Sequence, residues 1–427
     1  METLLGEELL GAILSMLPVA DLCQSSRVST RWRAAVSCEM SLRDAKTMQA
    51  GASIWKAAMY TLSAEDAHRE AMDKIARRAT KQAISEMDVL PNLAIVLSCN
   101  SFNFSGSGEL AQCVSSLLPL HTLVLSLECG GVMGPIFGER VYELCGVEKR
   151  NTPAPGTLCE VESGNAVVVQ LASLPSTMLS WILLRPGRRN RPRYCFGCPP
   201  RAPAHVGAGR LPFEQCEGSR DQVETALLQW SDPASGSLVF TSLTDIWGNT
   251  QLRSFVHAHK LLAGGVAQSV SLACRGSVNG PLPAAAVVLQ FAGGNGMSVC
   301  SIPEETGHGA ARVGGALRMF LNRADVDKEV TGEPTVYCPA HSTAPNAALP
   351  AFSGGFVVTC NGRGADFHCE LDAESTAVRT VLPGVAVAGF FSAGEYGPAC
   401  LAVGDAKDGH SGHADMLGYT CVTALFS

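Results

Sequence analysis

The chain is poor in charge, in long apolar runs and in the short signatures of enzymes, and each shortage removes a class of protein. Charged side chains make up 17% of its 427 residues against 46% apolar ones, a mixture too apolar and too weakly charged for a disordered chain. Its longer apolar stretches, such as 117–127 and 385–391, fall short of the ~18 to 20 residues that cross a bilayer, so no membrane span is expected. Basic residues number 32 against 39 acidic ones, a formal charge of -7. Without a basic excess no global field draws in phosphate backbones or an anionic surface, so neither nucleic acid nor membrane is an expected partner. Met1-Glu2-Thr3 leads into apolar residues broken by Glu7 and Glu8, which lacks the basic-then-apolar order of a secretory signal. Cytoplasm or nucleus is the expected location.

No Walker lysine is present, and no GxGxxG with a correctly placed acid, no HExxH and no intact GxSxG; GHSG at 409–412 is a near miss. Catalysis of the chain's own is not expected, and no cofactor is implied. The 17 cysteines are odd in number and follow no repeated spacing, which reads as free thiols. Cys195 with Cys198, and Cys338 with His341, allow a zinc site to be drawn, but one CxxC some 140 residues from the second pair favours loop thiols, and no metal site is assigned. His410 and His413 read as a polar loop. No solenoid- or propeller-type repeat of fixed period is visible.

What is present begins with a helical N-terminus. Leu5, Leu9, Leu10, Ile13, Leu14 and Leu17 recur at three- and four-residue steps, forming one apolar stripe that Pro18 ends. Asp21 can cap a second short helix and Ser29 a third carrying Trp32 and Val36. Fewer than forty residues cannot bury this stripe among themselves, so it must dock on the rest of the chain or on a partner. The arrangement LLGEELLGAILSMLPVADLCQSSRVSTRWRAAV resembles the F-box. That resemblance implies binding to a Skp-type adaptor, and through it to a cullin and a RING protein. Carried over, Leu9, Leu10, Ile13, Leu14, Leu17, Pro18, Leu22, Val28 and Trp32 are the adaptor-facing or motif-core set. Leu5-Gly6 stands where the family has Leu-Pro, and the lost constraint on φ lowers the expected affinity.

Residues 46–62 read as a connection with short helical stretches around Trp55 and Tyr60. A helix is expected from Ser63 to about Met87, its small apolar face set by Ala67, Ala71, Ile75, Ala79 and Ala83. LAIVLS (93–98), ELAQCVSSLL (109–118) and HTLVLSL (121–127) form a βαβ pattern, followed by a glycine turn at 128–134 that is either a ligand-facing turn or a plain one. Residues 176–217, dense in Pro, Gly and Arg, read as a long surface loop, with five arginines between Arg185 and Arg193. Helices are expected at 221–230, 249–262 and 311–325, and strands at 236–240, 265–274, 284–293 and 297–302. That order predicts a mixed sheet.

Three late segments carry the candidate chemistry. GFVVTCNGRG (355–364) sets a buried strand before Cys360-Asn361-Gly362-Arg363-Gly364, a second strand and turn run through VAVAGFFSAGEYGP (385–398), and the chain ends on MLGYTCVTALFS (416–427). These resemble the FIST domain, with its Cys-x-Gly-Arg-Gly turn and its Gly-Phe-x-x-x-Gly-Glu-x-Gly-Pro turn. The likeness covers most of residues 63–427 and divides them into an N-terminal part (63–270, with the insertion at 176–217) and a C-terminal part (271–427). The fold class expected is an α/β, mixed-sheet body preceded by a small all-α F-box (1–45) of three short helices. FIST membership implies a module that binds small ligands such as amino acids and, behind an F-box, recruits a protein substrate for ubiquitination. Candidate ligand residues are Cys360, Asn361, Gly362, Arg363, Gly364, Gly394, Glu395 and Gly397. Arg363 can fork to a carboxylate and Glu395 can take an ammonium, or the two can pair with each other or with backbone to hold the turns together. Cys360 is either a packed thiol or a reactive one.

Overall fold

The computed structural model describes residues 53–63, 72–100, 107–119, 122–144, 147–174, 179–188, 191–197, 214–217, 235–243, 246–259, 261–274, 280–291, 297–322, 335–337, 352–398 and 414–427, with Leu228 and single positions between Leu10 and Glu39. Among these residues the protein is a mixed α/β molecule, mostly strands, with a 13-stranded sheet, an 8-stranded sheet and a two-stranded ribbon. The expected βαβ unit is there: Leu93–Asn100 and Leu123–Glu128 run parallel, joined through the helix Ser107–Ser115. These strands are buried on both faces, which explains why they read as continuous apolar runs and not as alternating ones.

Among the described residues one six-strand pattern occurs three times. In the first repeat the opening strand Ile54–Leu62 leads through the helix Met72–Ser85 to the parallel pair already described. A fourth strand, Gly131–Ile136, then pairs with a fifth, Thr157–Val161, and a sixth, Asn165–Ser173, lies antiparallel between the first and second. The second repeat uses Leu179–Arg188, the parallel pair Gly236–Ser242 and Leu262–Ala267 around the helix Ile246–Ala258, then Ser269–Cys274, Leu282–Ala284 and Ala286–Phe291. The third uses Met297–Ile302, the helix Ala310–Asn322, the parallel pair Gly354–Cys360 and Ala386–Ser392 around the helix Ala373–Val381, then Glu395–Pro398, Ala414–Leu417 and Cys421–Phe426.

The repeats are tied in a ring. The fourth strand of each pairs antiparallel with the third strand of another: Gly131–Ile136 with Ala386–Ser392, Ser269–Cys274 with Leu123–Glu128, and Glu395–Pro398 with Leu262–Ala267. Packing follows the same plan. A central apolar cluster draws on all three repeats, including Leu97, Phe240, Phe356 and Phe390, with Phe240 set edge-on against Phe356 at 5.5 Å between centroids. Three further clusters seat the helices of the first, third and second repeats on the outer faces.

Three segments differ from their sequence reading: of the glycine turn expected at 128–134 only Cys129 and Gly130 lie between strands, and Gly131 opens the strand Gly131–Ile136. Ile54–Leu62 is not a helical connection but a nine-residue strand inside the larger sheet. Its nine register pairs with Asn165–Ser173 are contacts between residues far apart in the chain, which local pattern does not reveal. The stretch read as a surface loop at 176–217 holds the strands Leu179–Arg188, Arg191–Gly197 and Glu214–Glu217. The first of these opens the second repeat, and Leu179, Trp181 and Leu183 enter the central cluster. The helix expected at 221–230 lies outside the described residues except for Leu228, which is helical. No described helix is long and apolar enough to cross a membrane.

Candidate functional site

In the N-terminal segment the described residues Leu10, Ile13, Leu14, Leu22 and Trp32 are helical, and Leu17 lies in a bend with its N–H donated to the Leu14 carbonyl at 3.1 Å. Leu9, Pro18 and Val28 lie outside the described residues, as does the count of helices there. Leu10, Leu14, Leu22 and Val36 are buried in the same apolar cluster as Ala58, Leu62 and the helix Met72–Ser85, with Leu17 and Trp32 packed against it. Ile13 is the exception, 38% exposed on the helix surface.

The Cys360–Gly364 turn leaves the C-terminal end of a parallel strand, where such sheets present backbone to ligands. Its glycines have steric work. A Cβ on Gly362 would lie 2.7 Å from the Tyr419 ring, and one on Gly364 would run into the Glu162 carboxylate. Glu162 in turn accepts the Ala365 N–H at 2.7 Å. Arg363 is completely buried. Its Nε donates to Glu374 at 2.8 Å and one terminal nitrogen donates to the Tyr419 carbonyl at 3.1 Å, while the guanidinium stands 5.1 Å from the centre of the Phe367 ring.

The same oxygen of Glu374 receives His368 Nε2 at 3.2 Å. Because Gly309 N–H donates to His368 Nδ1 at 3.0 Å, that ring nitrogen must accept and Nε2 carries the proton. Burial works to raise the Glu374 pKa, but Arg363 and the hydrogen bonds from His368 and Cys421 overcome it and bring it down to about 2. The guanidinium is thus paired with Glu374, while one terminal nitrogen has no hydrogen-bond partner among the described residues and its charge reaches Glu395 without a hydrogen bond.

Glu395 opens the fourth strand of the third repeat and is fully buried. One carboxyl oxygen accepts long 3.4 Å bonds from the N–H and hydroxyl of Thr420, and the other has no N–H or O–H partner. Burial pushes this acid up to about 8, against opposing pulls from Thr420, Cys360 and Arg363. The half-buried Cys360 thiol is its hydrogen-bonding neighbour, and burial, helped by the Glu395 charge, raises the thiol as well. A thiol held protonated is the reverse of an activated nucleophile. Gly394 forms the turn before Glu395, its carbonyl accepting Val266 N–H at 2.9 Å, and Gly397 lies on the strand itself.

A second cluster, unmarked in the sequence, braces the same helices. Arg140 makes a two-pronged ion pair with Asp372 at 2.6 and 2.8 Å and also donates to the Glu160 carbonyl. Glu160 accepts the Ser375 N–H at 2.5 Å, and burial raises its pKa to about 8. Neither Glu160, Glu162, Asp372 nor Glu374 sits in a motif, and no spacing signals them: Glu374 is 11 residues beyond Arg363 across two helices. Among the described residues no cluster of His, Cys, Asp and Glu is arranged to hold a metal. Cys198, Cys338, His341, His410 and His413 lie outside the described residues.

Residues 6–43 match the F-box-like family model. An uncharacterized protein of Mycobacterium tuberculosis is 37% identical over 73 residues, which cover 17% of this chain and 16% of that protein. An uncharacterized protein of Mycobacterium bovis is 35% identical over 81 residues, 19% of this chain and 18% of its own length. The chain therefore spans less than a fifth of the curated relatives it matches, and their names carry no activity.

Proposed function

We propose that this chain is the substrate-recognition subunit of an SCF-type ubiquitin ligase, in the cytoplasm or nucleus. The F-box binds a Skp-type adaptor, and through it cullin and RING protein, while the body, read as a FIST domain, recruits the protein target with a small ligand as a gate. The observation that carries this reading is the F-box-like match at 6–43, whose described residues, apart from the bend at Leu17, are helical and include an exposed isoleucine. The subunit would act by proximity, holding a target lysine near a charged conjugating enzyme, without bond chemistry of its own.

A second reading has its own support. Leu10, Leu14 and Leu22 share an apolar cluster with the body, as a docking hairpin would, and the chain would then be a small-ligand sensor outside ubiquitin transfer. Co-expression with a Skp-type adaptor and size-exclusion chromatography decides between them. A stoichiometric complex that is lost with Ile13→Asp supports the ligase subunit; wild-type chain eluting alone removes it. Ile13 is the site to change because Leu14 is completely buried, and an Asp there would unfold its surroundings whether or not an adaptor binds.

A further inference from the structure

We propose that the hub of the three-repeat ring is a binding site for an organic cation, with Glu395 taking the ammonium group. This deepens the small-ligand part of the reading above and does not depend on adaptor binding.

The ring of exchanged strands brings the ends of the three parallel pairs together. Asn361 of the third repeat approaches Gly130 of the first so closely that a Cβ there would sit 2.5 Å from its Oδ1. Ser269 of the second repeat donates to Glu128 of the first at 3.0 Å. Ala393 N–H of the third donates to the Val266 carbonyl of the second at 3.1 Å. Ligands bind α/β sheets where the C-terminal ends of parallel strands diverge or meet, and here three such ends share one place.

Acids outnumber cations at that place. Among the described residues of these strand ends and turns, Glu128 and Glu395 are the acids and Arg363 the one cation, and Arg363 is turned onto Glu374. Glu395 is fully buried with one oxygen lacking any N–H or O–H partner. An under-satisfied buried carboxyl costs free energy that a bound ammonium would recover. Burial also holds this acid's pKa up at about 8, so Glu395 itself carries little charge at neutral pH until a cation draws it out. The Cys360 thiol that hydrogen-bonds this carboxyl is half-buried, and Asn361, next to it in the chain, is exposed.

The test is a titration of the full chain by calorimetry and thermal melting, with ethanolamine and 1,4-diaminobutane as probes and acetate and ethylene glycol as controls. At least one amine should bind saturably and raise the melting temperature while both controls leave it unchanged. Glu395→Gln should weaken that amine at least tenfold, and Cys360→Leu, which replaces the thiol beside the carboxyl with a larger apolar side chain, should do the same. The second variant keeps the test decisive should the first be misfolded. Absence of binding by either amine, or binding unchanged in the folded variants, overturns the proposal. Adaptor co-purification should be the same for both variants and wild type, so failure here is distinct from failure of the ligase reading.

Discussion

Arg363 and Glu395 sit on two glycine-rich turns of one repeat, and both are fully buried, yet the fold treats their charges in opposite ways. Arg363 meets a carboxylate, a carbonyl and an aromatic face; Glu395 meets two long hydrogen bonds and a thiol. A buried charge that is paired becomes a lock, because either partner alone would be stranded. A buried acid left unpaired gives up its charge instead and waits. Motif position does not distinguish the two, while their partners do.

The largest effect should come from stranding the lock. Glu374→Ala leaves the guanidinium without its carboxylate, and urea denaturation should show a loss of about 3–5 kcal/mol. Replacing both partners, as Arg363→Met with Glu374→Leu, should restore most of it; a double variant as weak as the single one would mean the pair is not the source. Next in size is Gly364→Ala, whose Cβ would push aside the Glu162 carboxylate that accepts the Ala365 N–H and should cost about 1–3 kcal/mol by the same measurement.

Acid sharpens the contrast further. Glu374, held near 2, contributes stability above its unfolded value of about 4.5, and that contribution should fade as pH falls from about 4.5 toward 2. Glu395 and Glu160 act the other way. Their folded values near 8 make the folded state bind more protons than the unfolded one, so stability should decline as pH rises from about 4.5 to 8. Melting temperatures across pH 5–8 should therefore fall less steeply in Glu395→Gln, which should match wild type near pH 5 and exceed it toward pH 8; an unchanged slope would show that Glu395 is ionised in the folded protein. The smallest effect on stability is expected from Ile13→Asp, on a half-exposed helix surface, with melting unchanged.

How much of this was legible depended on where each residue's partners lie in the chain. LAIVLS, HTLVLSL and MSVCSI were readable because strands buried on both faces are apolar along most of their length. IWKAAMYTL was not, since alanine, methionine and lysine suit a helix equally well and only its pairing with Asn165–Ser173 decides the matter. LSWILLRPGR was read with the arginine- and proline-rich stretch that follows, although its first half is core. The glycines of the late turns marked the right place, but the residues that settle its chemistry, Glu374, Glu162 and Tyr419, arrive from helices and loops that no spacing connects to them. The threefold order escaped because it lies in the pairing of strands far apart in the chain, at a period well beyond the roughly 20–45 residues of solenoid units.

The ring of exchanged strands also sets an order of events during synthesis. When the first repeat leaves the ribosome, its third strand, Leu123–Glu128, has no neighbour on one side until Ser269–Cys274 is made. Its own fourth strand meanwhile holds an edge open for Ala386–Ser392, which is among the last parts of the chain to emerge. Bare edges of this kind invite pairing with the wrong chain. A transcript truncated anywhere before the third repeat would thus yield not a smaller working protein but a sticky one, and a nascent chain that pauses there is a natural client for chaperones.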